Sequence, residues 1–110
     1  MKVPNADRAY ADPHKIADYL LNPEHERGKH KARVFASVLG IERSDAEALR
    51  HILVQIVKTE EAVPGEADEY GQRYVIDFVL YWHEREALTR STWIIRTGED
   101  FPRLTSCYVL

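Results

Sequence analysis

The chain has 110 residues, 45% of them hydrophobic and 30% charged, and its formal net charge is −3. This length predicts a single domain, and the composition excludes a collagen, a coiled coil or a wholly disordered chain. No apolar run approaches the roughly 20 residues of a membrane helix, and the N-terminus lacks the apolar stretch of a signal peptide. A lone cysteine, Cys107, cannot form an internal disulfide, so a cytoplasmic location is the default expectation.

Three helices are predicted in the first 59 residues, over residues 13–21, 29–39 and 45–59. Asp12 is a good N-cap for the first helix, and Pro13 suits its first helical position. Gly40 ends the second helix, and a capping box over residues 44–47 opens the third. Apolar residues at helical spacing give the buried side of each helix: Ile16, Tyr19, Leu20, Ala32, Phe35, Leu39, Leu49, Ile52, Leu53 and Ile56.

After residue 59 the apolar residues alternate, which indicates strands. Three antiparallel strands are predicted over residues 71–83, 88–97 and 103–110, with a short extra edge strand from residues 1–10 or 60–66. Helices followed by strands with short connections are typical of an α+β fold. We therefore expect three N-terminal helices on one face of a C-terminal antiparallel meander of three to four strands.

Two segments have an uneven charge. Residues 24–33, EHERGKHKAR, are rich in bases, whereas residues 60–69, EEAVPGEADE, contain five acids and no base. Each segment is either a solvated surface or part of a binding site, in which the acidic one shields the basic one or meets a basic partner. The single domain, residues 1–110, is thus divided into a helical part over about 12–59, an acidic loop over 60–69 that we expect to be mobile or partner-facing, and a sheet part over 71–110.

Three strings extend over most of the chain: YLLNPEHERGKHKARVFASVLG (19–40), TEEAVPGEADEYGQRYVIDF (59–78) and WIIRTGEDFPRLTSCYVL (93–110). They resemble a bacterial domain family of unknown function whose members are about this long. That family is similar to the superfamily that groups barnase, EndoU, colicin and RelE-type ribonucleases. Similar segments occur in C-terminal toxin modules with the pattern NP-x-H-x-x-G-x-x-K-A-x-x-F, matched here by Asn22, Pro23, His25, Gly28, Lys31, Ala32 and Phe35. The resemblance implies a toxin-like, metal-independent ribonuclease that acts on RNA.

Such an enzyme needs groups that transfer protons at the ribose 2′-hydroxyl and the departing 5′-oxygen, and cations that hold the phosphate. Histidine suits the proton transfers and arginine the phosphate. His25, His30 and Lys31 lie near the start of the second helix, where the helix dipole also favours an anion. Arg90 and Thr105 complete the candidate catalytic set, because the resemblance implies a threonine on the final strand.

Strand alternation predicts how the last two candidates lie. Arg90 and Thr92 share one face of their strand, and on the final strand Thr105 lies opposite to Ser106. Arg90 and Thr105 can then meet on neighbouring strands. Asp77 faces either solvent or a basic partner.

Other interpretations stay open at this point. His30 is an ordinary exposed helix residue in the alternative interpretation, His25 hydrogen-bonds the backbone of its turn, and Thr105 is a normal strand residue. No cofactor or metal site is expected, because no two histidines stand at i, i+4 on one helix. If the candidate residues have these ordinary roles, the chain is a non-enzymatic binding module such as an antitoxin, immunity protein or regulator, which its acidity favours, or a purely structural domain. The partners implied are RNA or a small cognate neutralising protein for a ribonuclease, and a basic toxin for a binding module, with no membrane.

Overall fold

Helices occupy the first half of the chain and strands the second, in a computed structural model that describes residues 1–110. Helix α1 is formed by Pro13–Lys15 and continues as a π-helical turn over Ile16–Leu20. Helix α2 is formed by Lys29–Val34 and continues as a second π-helical turn over Phe35–Leu39. Helix α3, Ala46–Thr59, follows a 3-10 turn over Arg43–Asp45. None of these helices combines the length and apolar character needed to cross a membrane.

The strands form one antiparallel sheet in the order β1-β2-β3-β4, which is a simple meander. Their bounds are Val63–Asp68, Gly71–Trp82, Arg85–Arg96 and Pro102–Val109. The predicted α+β architecture is therefore confirmed, with four strands. The short connections between successive strands produce this order, because neighbouring antiparallel strands need only a tight turn.

The helices cover one face of the sheet. Their buried residues pack with alternate residues of the strands in a core that contains Phe35, Ile76, Trp93 and Cys107. Cys107 is fully buried, and this burial raises the pKa of its thiol to about 12, as suits an inert core residue. The opposite face of the sheet, called the open face below, has no helix over it and presents Asp77 to solvent.

The connection between β2 and β3 is shorter than predicted. The residues between the predicted strands 71–83 and 88–97 were expected to form the turn, but β2 ends at Trp82 and β3 already begins at Arg85. His83 adopts the left-handed conformation, with φ of 55°, that a two-residue hairpin requires. Glu86 and Leu88 lie on the exposed side of the longer strand, and this masks the apolar alternation from which its start was predicted.

The acidic segment 60–69 was predicted as a loop, and this is wrong for its central part. Val63–Asp68 forms β1, from the pair Val63–Val75 to the pair Asp68–Gly71, which confirms the predicted short edge strand. Its side chains are all exposed, so no apolar alternation reveals it. The charges, Pro64 and the register shift that follows it are features that protect an edge strand from pairing with other chains.

The start of α3 also differs from the prediction. Ser44 was expected to cap the helix, but the Asp45 side chain accepts a hydrogen bond of 2.9 Å from the Glu42 backbone N–H. The reason is the 3-10 turn over Arg43–Asp45, which starts the helical path before Ser44 and makes Asp45 its third residue.

Candidate functional site

A β-bulge in β4 places two hydroxyl groups side by side on the open face. Thr92 of β3 opposes Ser106, and the pairing shifts at the next residue, so that Thr105 is the extra residue of the bulge. As a result Leu104 and Cys107 both point into the core, while Thr105 and Ser106 share the other side. The hydroxyl oxygens of Thr92 and Thr105 lie 2.5 Å apart.

Lys31 extends from α2 to the hydroxyl group of Ser106. Its Nζ donates a 3.0 Å hydrogen bond to Ser106 Oγ and lies 5.1 Å from the centroid of the Tyr108 ring and 5.5 Å from that of the Tyr19 ring. The side chain is half-buried and forms no ion pair. An ammonium group with no carboxylate partner, held among hydroxyl groups and aromatic rings, is ready to bind an anion.

Arg90 lies on the same face, opposite Tyr108 in the β3–β4 register. It forms a two-point ion pair with Asp77 on β2, with 2.7 Å from Nε to Oδ1 and 2.9 Å from Nη2 to Oδ2. The Arg90 hydrogen bonds hold the pKa of the Asp77 carboxyl below its usual range, and Asp77, followed by Tyr108, raises the pKa of Arg90. Asp77 occupies only the Nε edge of the guanidinium, so Nη1 is left for another acceptor.

These residues form one group on the open face, called the Lys31 cluster: Lys31, Arg90, Thr92, Thr105, Ser106 and Tyr108. The main cavities, of about 660, 720 and 450 Å³, lie elsewhere, and the Lys31 cluster lines none of them. The Lys31 cluster is thus an exposed surface with cations and hydroxyl donors, which fits an extended anionic ligand better than a small enclosed one.

A further basic side chain, Lys15 of α1, contacts β4 beside this cluster. Lys15 Nζ donates a 3.0 Å hydrogen bond to the Thr105 carbonyl oxygen of the edge strand β4. Elsewhere in the basic segment 24–33, Arg27, Lys29 and Arg33 also form no ion pair. No group of three or more His, Cys, Asp or Glu side chains is placed to bind a metal ion.

His25 has a structural task in its turn. Its Nδ1 accepts hydrogen bonds from the backbone N–H groups of Arg27 and Gly28, at 3.1 and 3.0 Å. The ring packs edge-on against Tyr19, with centroids 4.7 Å apart. Because Nδ1 is used as an acceptor, the neutral ring carries its hydrogen on Nε2 and presents a donor there. This is the backbone-bonding alternative that the sequence left open.

Of the five candidates, Lys31, Arg90 and Thr105 belong to the Lys31 cluster. His25 approaches it only through the Tyr19 ring. The His30 side chain is exposed and makes no hydrogen bond or ion pair. Thr105 is bonded to Thr92, and no hydrogen bond joins it to Arg90.

Sequence reasoning missed several members of this site: Thr92, Ser106 and Tyr108 as ligand groups, and Tyr19 beside Lys31. The bulge that brings Ser106 to the same side as Thr105 leaves no mark in the residue pattern. Asp77 was predicted to face either solvent or a basic side chain, and it forms an ion pair with Arg90.

The ion pair between Asp77 and Arg90 predicts a pH-dependent effect of Asp77→Asn. The pKa of Asp77 is lower in the folded state than in the unfolded state. The ion pair therefore stabilises the protein fully at pH values above the ordinary Asp pKa of about 3.9, and this stabilisation is lost as the pH falls through the lowered pKa. The side chains are 39% and 37% exposed, so the loss at pH 7 is small, about 5 °C or less in Tm. Thermal unfolding from pH 7 to pH 2 measures it, and a difference between variant and wild type that persists at pH 2 would contradict the assignment.

Comparison with known proteins gives a family and a fold. The chain belongs to the family described as "Domain of unknown function (DUF6883)", whose model matches residues 2–110. Its fold is similar to that of a chain in the structure entitled "Contact-dependent growth inhibition toxin - immunity protein complex from Klebsiella pneumoniae 342". The TM-score is 0.68 and the identity 11%, over 96% of each chain. No curated protein sequence matches the chain.

Proposed function

We propose that this protein is a toxin-type ribonuclease and that the Lys31 cluster binds the phosphate at which RNA is cleaved. The observation that carries the proposal is that two cations lie near Tyr108: Lys31, from α2, lies over its ring, and Arg90, from β3, is its cross-strand partner. Two cations from distant parts of the chain lie on one uncovered sheet face, and one of them has no counter-ion.

The donors that remain free suit a phosphodiester. Lys31 uses one of its three N–H groups on Ser106, and Arg90 keeps Nη1 free beyond the Asp77 pair. The hydroxyl groups of Thr105 and Ser106 lie on the same face of the sheet and can donate to further phosphate oxygens. Such donors stabilise the dianionic pentacoordinate phosphorus of the transition state more than the monoanionic phosphodiester of the ground state. This difference in stabilisation lowers the activation barrier.

The reaction that this site supports is transfer of the phosphoryl group within the RNA. The 2′-oxygen forms a bond to phosphorus, the bond from phosphorus to the 5′-oxygen breaks, and the products are a 2′,3′-cyclic phosphate and a 5′-hydroxyl group. The 2′ proton passes to water on the open face, and water or the Lys31 ammonium returns one to the 5′-oxygen. No histidine contacts the Lys31 cluster, so charge stabilisation and orientation are its main contributions.

The fold likeness to a chain of a toxin–immunity complex supports a role in such a pair. An immunity-like binding module is the second candidate, and the acidic edge of the sheet favours it. In and beside β1, Glu60, Glu66 and Glu69 are exposed and form no ion pair. Such an edge is complementary to a basic partner.

Expression in bacterial cells distinguishes the two candidates. The ribonuclease proposal predicts growth arrest by the wild type and normal growth with Lys31→Ala, at equal amounts of soluble protein. Normal growth with the wild type, together with rescue of cells that express a separate toxin, would favour the immunity-like module.

A further inference from the structure

A second group of aromatic and basic residues lies at the start of β4. The Arg103 guanidinium carbon is 5.5 Å from the centroid of the Tyr10 ring and 4.8 Å from that of the Phe101 ring. These residues line a shallow cavity of about 450 Å³ together with Arg8 and Ala9. The Tyr10 side chain contributes an exposed ring, since the residue is 44% exposed.

Both arginines of this cavity are already neutralised. Arg103 forms a two-point pair with Glu99, with 2.8 Å at each contact, and Arg8 forms one with Asp100, with 3.0 Å at each contact. A cavity with balanced charges does not select for phosphate. It offers the exposed aromatic ring of Tyr10 instead, backed by the Arg103 guanidinium, and nucleobases stack on such rings.

Backbone pairing fixes the position of the Tyr10 ring. Tyr10 forms a parallel bridge with Arg103, in which its N–H donates to the Pro102 carbonyl at 2.8 Å and its carbonyl accepts from the Leu104 N–H at 2.9 Å. These bonds do not involve the ring. The side chain can therefore be replaced without removal of the contact that covers the edge of β4.

Arg103 pairs with Ile94 and so lies on the same side of β4 as the Lys31 cluster. It precedes Thr105 by two residues, which is about 6.6 Å along a strand. We infer that Tyr10, Phe101 and Arg103 form a stacking site for an unpaired nucleobase next to the phosphate held by the Lys31 cluster. This inference rests on the proposed function, and it assigns single-stranded nucleic acid as the ligand.

The test uses a fluorescein-labelled pentathymidylate, which has no 2′-hydroxyl and cannot be cleaved by the proposed reaction. Anisotropy is expected to show binding by the wild type, about tenfold weaker binding by Tyr10→Ala, and nearly unchanged binding by Tyr10→Phe, which keeps the ring. Tyr70→Ala is the matched control, because Tyr70 is 66% exposed and belongs to neither site. The Tm of each variant shows that the fold is kept.

A second oligomer with one abasic position separates stacking from charge. The wild type is expected to bind it several-fold more weakly, and Tyr10→Ala is expected to lose most of this difference. Equal binding of the two oligomers by the wild type, or wild-type affinity in Tyr10→Ala, would overturn the stacking site. If instead the stacking effects are seen but RNA is not cleaved, the ribonuclease proposal fails and the stacking site stands.

Discussion

Replacing Lys31 by alanine is expected to lower the rate of RNA cleavage about 100-fold or more. Lys31 is the cation of the cluster without a carboxylate partner, so its whole charge is available to the phosphate. Loss of one such donor to a developing anionic charge costs on the order of 10²–10³ in rate. Single-turnover cleavage of a labelled RNA at saturating protein measures the effect separately from binding.

Two further variants make this result specific. Lys58→Ala removes an exposed lysine without an ion pair from α3, and it is expected to cleave at the wild-type rate. Arg90→Lys keeps the charge but loses the planar guanidinium, which contacts Asp77 through Nε and Nη2 and has Nη1 free for the phosphate. We therefore expect this variant to cleave RNA more slowly than the wild type. Equal loss in Lys31→Ala and Lys58→Ala would show a general charge effect and contradict the assigned role of Lys31.

Gly28→Ala is expected to lower the stability of the protein strongly. A Cβ atom at Gly28 would lie 2.1 Å from the Tyr19 carbonyl oxygen and 2.9 Å from its carbon, and both are backbone atoms. The turn would have to move, which also breaks the bond from the Gly28 N–H to His25 Nδ1. We expect a loss of about 1–3 kcal/mol or more in the free energy of unfolding, measured by urea denaturation.

Gly65→Ala is the matched control for that substitution. Its Cβ would meet the Arg73 side chain at 3.5 Å, which is an ordinary contact, so unfolding is expected to change little. If Gly28→Ala were as stable as Gly65→Ala, the close approach of the His25 turn to α1 would not be required. The same comparison bears on the site, because this turn leads into α2 and so sets the position of Lys31.

The order of the elements could be predicted because helices and strands bury residues at different periods. Phe35 and Leu39 repeat at helical spacing, and Ile76 and Phe78 alternate, so each pattern indicates its own structure and its buried side. The edge strand Val63–Asp68 has no buried side, and only its backbone pairing with β2 defines it. For this reason the sequence left it between a loop and a strand.

The candidate site was less predictable, because it depends on the β-bulge in β4 and on the hydrogen-bond partners of His25. Alternation alone puts Thr105 and Ser106 on opposite faces, and the bulge puts them together. The motif around His25 allowed both a proton-transfer role and a bond to the turn, and only the positions of the Arg27 and Gly28 N–H groups decide between them. Arg90 was easier, because a charged residue between Ser91 and Thr92 must face solvent or a partner, and Asp77 is its direct cross-strand neighbour.

Incubation of the purified chain with labelled single-stranded RNA in excess EDTA, followed by analysis of the product ends, shows whether the Lys31 cluster is a ribonuclease site. We expect cleavage that leaves a 2′,3′-cyclic phosphate and a 5′-hydroxyl group, and we expect the double variant K31A/R90A to lose it. Intact RNA with the wild type, or cleavage that K31A/R90A retains in full, would contradict the assignment of the Lys31 cluster as a ribonuclease site.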